Sequence, residues 1–174
     1  MRAMSGFRPA EPSEVDALVA LIESAYRGES SRAGWTTEAD LLGGRRTGAD
    51  EVGPLIAEGR LFVLERDAEV VGCVRLEREK DASAYLGMLT VRPTTQGAGI
   101  GSVLLGAAEK HAREALGATA LRMTVISVRE ELLAWYGRRG YRLTGERAPF
   151  PYGDARFGVP KRDDLEFVVL EKAL

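Results

Sequence analysis

Apolar residues along this chain follow two spacings, and the switches between them outline a fold. Phe7-Arg8-Pro9 reads as a short first strand, after which Val15, Leu18, Val19, Ile22 and Tyr26 recur every three or four positions, predicting a helix. Ser13 and Asp16 have the spacing of a capping box at its start. From Gly28 to Gly59 the pattern breaks up. Thr36 or Thr37 is placed to cap a short helix over Glu38–Leu42 that Gly43-Gly44 ends, and a second helix is expected over Asp50–Ala57. Arg60–Glu65 and Glu69–Leu76 read as strands joined by a hairpin turn at Arg66-Asp67-Ala68, and Tyr85–Val91 as a further strand. A helix from Gly99 to about Leu116 carries Ile100, Val103, Leu104, Ala107, Ala108 and His111 on one side. Leu121, Met123 and Val125 then alternate with Arg122 and Thr124, the mark of a strand with one apolar face. Ser127 and Glu130 have capping-box spacing before a helix over about Val128–Arg139, with Gly140 as its stop. Tyr141–Thr144 and Leu165–Leu170 are the last strands. The predicted order is β-α-α-β-β-β-α-β-α-β-β, in one domain spanning residues 1–174.

The most informative segment joins the Tyr85–Val91 strand to the following helix: Val91-Arg92-Pro93-Thr94-Thr95-Gln96-Gly97-Ala98-Gly99-Ile100-Gly101-Ser102. Three alternate glycines strip side chains from a helix start, leaving unpaired N–H donors at the positive end of the helix dipole, a setting that favours a phosphate. Two nucleotide-loop patterns fail here. No Lys follows Gly101, as a P-loop requires. The third glycine of a dinucleotide fingerprint would fall on Ser102 or Leu104.

Gln96-Gly97-Ala98-Gly99-Ile100-Gly101, preceded by Leu89-Thr90-Val91-Arg92-Pro93, closely resembles the acetyl-CoA pyrophosphate loop of the GNAT superfamily of N-acetyltransferases. The resemblance runs from about Phe7 to Lys172 and is specific between residues 85 and 141. It implies an α/β (α+β) fold with a mixed, mostly antiparallel central sheet, flanked by helices and splayed between the fourth and fifth strands, here Tyr85–Val91 and Leu121–Val125. It further implies acetyl-CoA as cosubstrate, with its pantetheine arm along the backbone near Leu89 and Val91. Backbone N–H groups of Val91, Gly97, Gly99, Gly101 and Ser102 would contact the cofactor, with Gln96 at the loop's opening. Leu133-Ala134-Trp135-Tyr136-Gly137-Arg138-Arg139-Gly140-Tyr141 is similar to the superfamily's Tyr-x-x-x-Gly-Phe/Tyr segment, and makes Tyr136 the candidate catalytic acid that protonates the departing thiolate. Read from spacing alone, Tyr136 is a core aromatic, i, i+4 from Leu132. Arg92, Arg138 and Arg139 are candidates for the cofactor's ribose phosphate.

Two positions depart from the superfamily's pattern. Many members carry a Glu on the fourth strand as base; the matching position is Gly87. Many carry an Asn seven residues before the Tyr; here it is Arg129. Glu77, Ser127 through water, Tyr152 or bulk solvent remain as acceptors of the amine's proton. The expected reaction is direct acetyl transfer to a primary amine of a small molecule or peptide; the alternative is an acyl-CoA-binding sensor that retains the loop and has no turnover. The segment from Arg27 to Arg46, with Trp35, Glu38, Asp40, Arg45 and Arg46, occupies the place of the acceptor wall, and Pro149–Pro160, with Phe150, that of an opposing lid. Arg45-Arg46 read either as carboxylate-binding groups or as a solvated charged turn.

Composition limits the rest. The 174 residues are 45% hydrophobic and 29% charged with a net charge of −2, so there is no overall basic field for nucleic acid or an anionic membrane. No apolar run approaches the ~20 residues of a membrane-spanning helix, and Met1–Phe7 lacks the apolar core of a signal peptide, making the cytoplasm the expected compartment. One His and one Cys cannot build a zinc site, so no metal is expected. His111 reads as packing on a helix face. Cys73, inside Val70-Val71-Gly72-Cys73-Val74, reads as strand packing and not as a covalent relay. A homodimer through the last strands is an expectation from the resemblance alone.

Overall fold

The computed structural model describes residues 6–27, 37–95 and 99–174. Gln96, Gly97 and Ala98 of the glycine loop and Trp35 of the acceptor segment therefore lie outside the described residues. In chain order the elements are β1 (Gly6–Pro9), α1 (Val15–Tyr26), β2 (Leu42–Gly43), α2 (Ala49–Ala57), β3 (Leu61–Arg66), β4 (Glu69–Arg78), β5 (Ser83–Val91), α3 (Ile100–Glu114), β6 (Ala120–Ile126), α4 (Glu130–Arg138), β7 (Arg142–Pro149), β8 (Val159–Pro160) and β9 (Glu166–Ala173). Seven strands form one sheet in the order β1-β3-β4-β5-β6-β9-β7; β2 and β8 make a separate two-stranded ribbon.

Both faces of the sheet are covered, which explains the unbroken apolar run Leu61-Phe62-Val63-Leu64 in β3. Leu61 and Val63 pack with Leu18, Ile22, Val52 and Cys73 beneath α1 and α2. Phe62 and Leu64 pack with Leu76, Leu104, Leu121 and Leu132 beneath α3 and α4. The β3–β4 and β4–β5 hairpins turn at Asp67-Ala68 and Asp81-Ala82, all four residues at positive φ (52°, 63°, 65° and 58°). That is the requirement of the type I′ turn, whose twist matches the flanking strands.

One strand pair defines the architecture. β5 and β6 are the sheet's parallel pair, and they pair only from Ser83↔Ala120 to Tyr85↔Arg122. Beyond Tyr85 the two strands separate, as the resemblance implies. Across the other edge of β5, Cys73 faces Thr90 while Arg75 faces Gly87. Met88 and Leu89 thus oppose the single residue Val74, a β-bulge, with Met88 at φ 52°. A non-glycine residue at positive φ costs on the order of 1–3 kcal/mol and persists where surrounding packing enforces it. Met88 is buried within the α1–α2 cluster.

Several local expectations are corrected. The capping box at the start of α1 is formed by Glu11 and Glu14 around the 3-10 turn Pro12–Glu14, not by Ser13 and Asp16. Residues 38–41 form a single turn closed on the Glu38 carbonyl by the Leu41 and Leu42 amides, and the chain then enters β2 instead of continuing as a helix. The N-cap of α4 is Arg129, with no side-chain cap, while the Ser127 amide donates to the Glu166 carbonyl. Val103, expected on the apolar side of α3, is exposed; the buried face is Ile100, Leu104, Leu105, Ala108 and Ala112.

His111 is a packing residue. Its ring lies 4.5 Å from that of Phe62 and 5.9 Å from that of Phe7, and burial lowers its pKa from the ordinary 6.5. The unfolded chain therefore takes up a proton there at a higher pH than the folded one. Stability from this group is complete above pH 6.5 and declines as the pH falls below it. Chemical denaturation between pH 8 and 5 is expected to show this loss, and His111→Leu is expected to remove it.

Candidate active site

A cavity of about 360 Å³ opens where β5 and β6 separate. Its floor is Leu86, Gly87, Met88 and Leu89 of β5 with Met123, Thr124, Val125 and Ile126 of β6. Tyr26 and Arg27 enter from the end of α1, Glu38, Leu42 and Arg46 from the segment after it, Leu132 and Tyr136 from α4, and Phe150, Arg156 and Phe157 from the β7–β9 connection. The acceptor-wall segment and the lid segment thus both border the splay. β2 and β8 hold them together, Leu42 opposite Pro160 and Gly43 opposite Val159. The Lys161 ammonium adds a 2.6 Å bond to the Ala39 carbonyl.

Tyr136 is 4% exposed. Its ring is fixed edge-on against Trp135 and Tyr141, at 5.0 and 5.7 Å. Burial pushes the pKa of its hydroxyl well above the ordinary 10. The group is a neutral O–H donor over the whole physiological range. Leu89 and Val91 lie on β5 beyond its last pairing with β6. The Leu89 carbonyl, in the bulge, accepts a short hydrogen bond from the buried Tyr26 hydroxyl.

The α3 N-terminus has the form a phosphate site requires. Gly99 is its N-cap, in the left-handed region at φ 78°, and a Cβ there would meet no atom within 4 Å. Glycine tolerates that conformation and leaves the approach to the helix open. Gly101 and Ser102 occupy the first turn, where amides lack intrahelical acceptors. The Arg139 guanidinium donates to the Ser102 hydroxyl at 2.6 and 3.1 Å and stacks 3.7 Å over the Trp135 ring. A cation therefore stands beside the helix's positive end, and the donor set suits a diphosphate. Arg92 turns the other way, onto the Val70 carbonyl at 2.8 Å.

The expected amine-handling groups are arranged differently. Glu77 is held by Arg60 and Arg75 at 2.6 and 2.9 Å. Burial pushes its carboxyl up, but the two guanidinium groups outweigh this and hold it below the usual range. The Tyr152 hydroxyl is engaged by the Arg162 carbonyl and the Leu165 amide. Neither residue lines the cavity, nor does Ser127. The place of the absent Glu is occupied by an aromatic: a Cβ on Gly87 would lie 2.9 Å from the Tyr85 ring. The Tyr85 hydroxyl reaches the Thr124 hydroxyl across the splay at 3.3 Å. Arg129, at the Asn position, pairs with Glu38 at 3.1 Å; Glu38 also receives a short bond from Arg27. Burial drives the Glu38 carboxyl up, yet Arg129, Arg27 and the nearby Arg46 together keep it below the usual range. Arg45 instead faces the exposed Asp50 at 3.1 Å. Cys73 is buried, its thiol pushed up to about 12 by burial, and does not line the cavity.

The acetyltransferase (GNAT) family model matches residues 18–141. The chain belongs to the GNAT acetyltransferase family. GNAT enzymes transfer an acetyl group from acetyl-CoA, and this chain is an acetyl-CoA-dependent acetyltransferase. Solved GNAT structures share its fold at low identity. YncA from Salmonella typhimurium, solved with its cofactor acetyl-CoA, is 17% identical with a TM-score of 0.70, over 99% of this chain and 95% of that one. A ribosomal-protein-alanine N-acetyltransferase from Brucella melitensis is 19% identical with a TM-score of 0.71, over 97% and 99%. Ard1 from Thermoplasma volcanium is 16% identical with a TM-score of 0.72, over 99% of both chains. No curated protein matches the chain in sequence. Among the described residues no helix is long and apolar enough to cross a membrane.

The two motifs that carry the family resemblance thus flank one splay. The bulge, the Glu38 cluster and the Tyr26–Leu89 bond have no local sequence signature. Only the arginine-rich composition of the segments around residues 27, 46 and 129 hinted at the cluster.

Proposed function

We propose that this GNAT enzyme acetylates a primary amine on a small molecule by direct transfer, with Tyr136 as the acid. The observation that carries the reading is the Tyr136 side chain, 4% exposed, on the wall of the cavity where β5 and β6 part. Acetyl-CoA, when bound, supplies the thioester that the amine attacks. Amides of Gly99, Gly101 and Ser102, with those of the Gln96–Gly97 segment, hold its diphosphate, and Arg139 adds a cation there. The β5 backbone around Leu89 and Val91, beyond the last pairing with β6, takes the extended arm as an added strand would be taken. Backbone donors at the bulge stabilise the negative charge that develops on the carbonyl oxygen. As the C–S bond breaks, the Tyr136 Oη delivers its proton to the departing sulfur, and the proton released from the acylated nitrogen returns to the phenol, so amine and thioester give amide and free thiol. Nothing in the reading needs a covalent enzyme intermediate, and Cys73 is too buried and too weakly acidic to form one.

The test combines calorimetry with acetyl-CoA and thiol release in the presence of an amine panel. Binding together with amine-dependent release is expected. Binding without release for any amine would make the chain a sensor; absence of binding at millimolar acetyl-CoA would remove the assignment of the diphosphate site.

A further inference from the structure

We propose that the acceptor is an amine bearing a carboxylate a few bonds from its nitrogen, an amino acid, whose carboxylate is taken by Arg46 and Arg129. This deepens the transferase reading above and rests on it. The chain as a whole is net negative at −2, yet among the described residues its cavity is lined by arginines 27, 46, 75, 129 and 156 against Glu38 and Glu51; Arg75 pairs with Glu77 and Arg156 with Asp154, which leaves Arg27, Arg46 and Arg129 facing the two lining carboxylates. Neither carboxylate balances the cavity. Glu38 is 7% exposed and enclosed by Arg27 and Arg129 at contact and Arg46 nearby, one negative charge among three positive ones. Glu51 is half-exposed, and its carboxylate receives the Thr47 hydroxyl at 2.6 Å. A positive excess at a largely buried site is unfavourable unless an anion completes it.

Arg46 is the arginine placed for a ligand. Its nearest carboxylate among the described residues is Glu51 at 3.9 Å, beyond hydrogen-bond distance. Its guanidinium stands 5.4 Å from the centre of the Tyr26 ring, and that of Arg129 stands 5.9 Å from the same ring. Tyr26 in turn bonds the Leu89 carbonyl at the bulge. One tyrosine side chain thus lies between these guanidinium groups and the strand where transfer is proposed, which sets the nitrogen and the carboxylate of the acceptor about one tyrosine side chain apart. A guanidinium binds a carboxylate through two parallel N–H donors, a match that a lysine ammonium lacks.

The positive charge of Arg27, Arg46 and Arg129 around Glu38 disfavours polyamines and other acceptors carrying extra positive charge.

The experiment compares thiol release from acetyl-CoA for a panel of free amino acids and their carboxamides. The carboxamides keep the amine and remove the charge. The wild-type enzyme is expected to favour the acids by about tenfold or more in kcat/KM, the discrimination of a site built for a group that its rival lacks. Arg46→Gln is expected to bring the acid-to-amide ratio toward one, with acetyl-CoA affinity by calorimetry confirming an intact fold. Equal turnover of acids and carboxamides, a preference for carboxamides or other neutral amines, or an unchanged ratio in Arg46→Gln overturns the proposal and leaves the transferase reading in place. Loss of acetyl-CoA binding by the wild-type protein takes both down.

Discussion

Replacing Tyr136 with Phe is expected to lower kcat by about two orders of magnitude or more while acetyl-CoA binds within about twofold of wild type, because a positioned proton donor contributes roughly 10²–10⁴ in rate. The substitution removes one oxygen and leaves the ring on Trp135 and Tyr141, so the fold has no reason to change. In the proposed mechanism rate and affinity separate, because the hydroxyl serves the leaving group and not the diphosphate. Burial also fixes the sign of the pH dependence. An acid must be protonated to work, activity from it is lost as pH rises through its pKa, and that pKa lies above 10. The wild-type kcat profile should therefore show no alkaline fall from this group below pH 10. Equal kcat in Tyr136→Phe and wild type would return Tyr136 to the role of a packing aromatic.

The largest loss of stability is expected from Glu38→Gln. Glu38 joins three segments distant in sequence: Arg27 at the end of α1, its own turn, and Arg129 ahead of α4. Gln keeps the shape and removes the charge, leaving two buried guanidinium groups with a third nearby. Breaking one partner of a buried ion pair costs about 3–5 kcal/mol, on the order of a 10 °C fall in Tm for a domain of this size. Linkage gives a second readout. The folded carboxyl titrates below the ordinary 4.5, so its stabilisation is complete above that pH and is lost as the pH falls further. This acid limb should be reduced in Glu38→Gln and lies well below the His111 window. A change under about 1 kcal/mol, the range of surface pairs, would show that the cluster is solvated and not a buried tie.

Much of this was legible in the chain itself. The helical recurrence of Ile100, Leu104 and Ala108, the alternation in β6 and the glycines at 99 and 101 each express a local rule, and the splay followed from resemblance at residues 85–141. What escaped was set by long-range packing. Met88 at positive φ has no sequence mark, because neither its identity nor its neighbours favour that conformation. Glu11 as a cap runs against the usual preference for Ser, Thr, Asp or Asn, so Ser13 attracted the assignment. Residues 38–42 carry helix-like composition, but Leu42 finds a strand partner 118 positions away at Pro160. Arg129 and Glu38 are ninety-one residues apart, and only the fold brings them together.

The ribbon of β2 and β8 has an evolutionary corollary. It fastens the segment after α1 to the β7–β9 connection with residues from both, through two strand pairings and the Lys161–Ala39 bond. Grafting either loop alone from a homologue would strand its partner's backbone polar groups. Substrate range in this lineage should therefore change by exchange of the two loops as one cassette, while the acetyl-CoA half of the domain stays untouched.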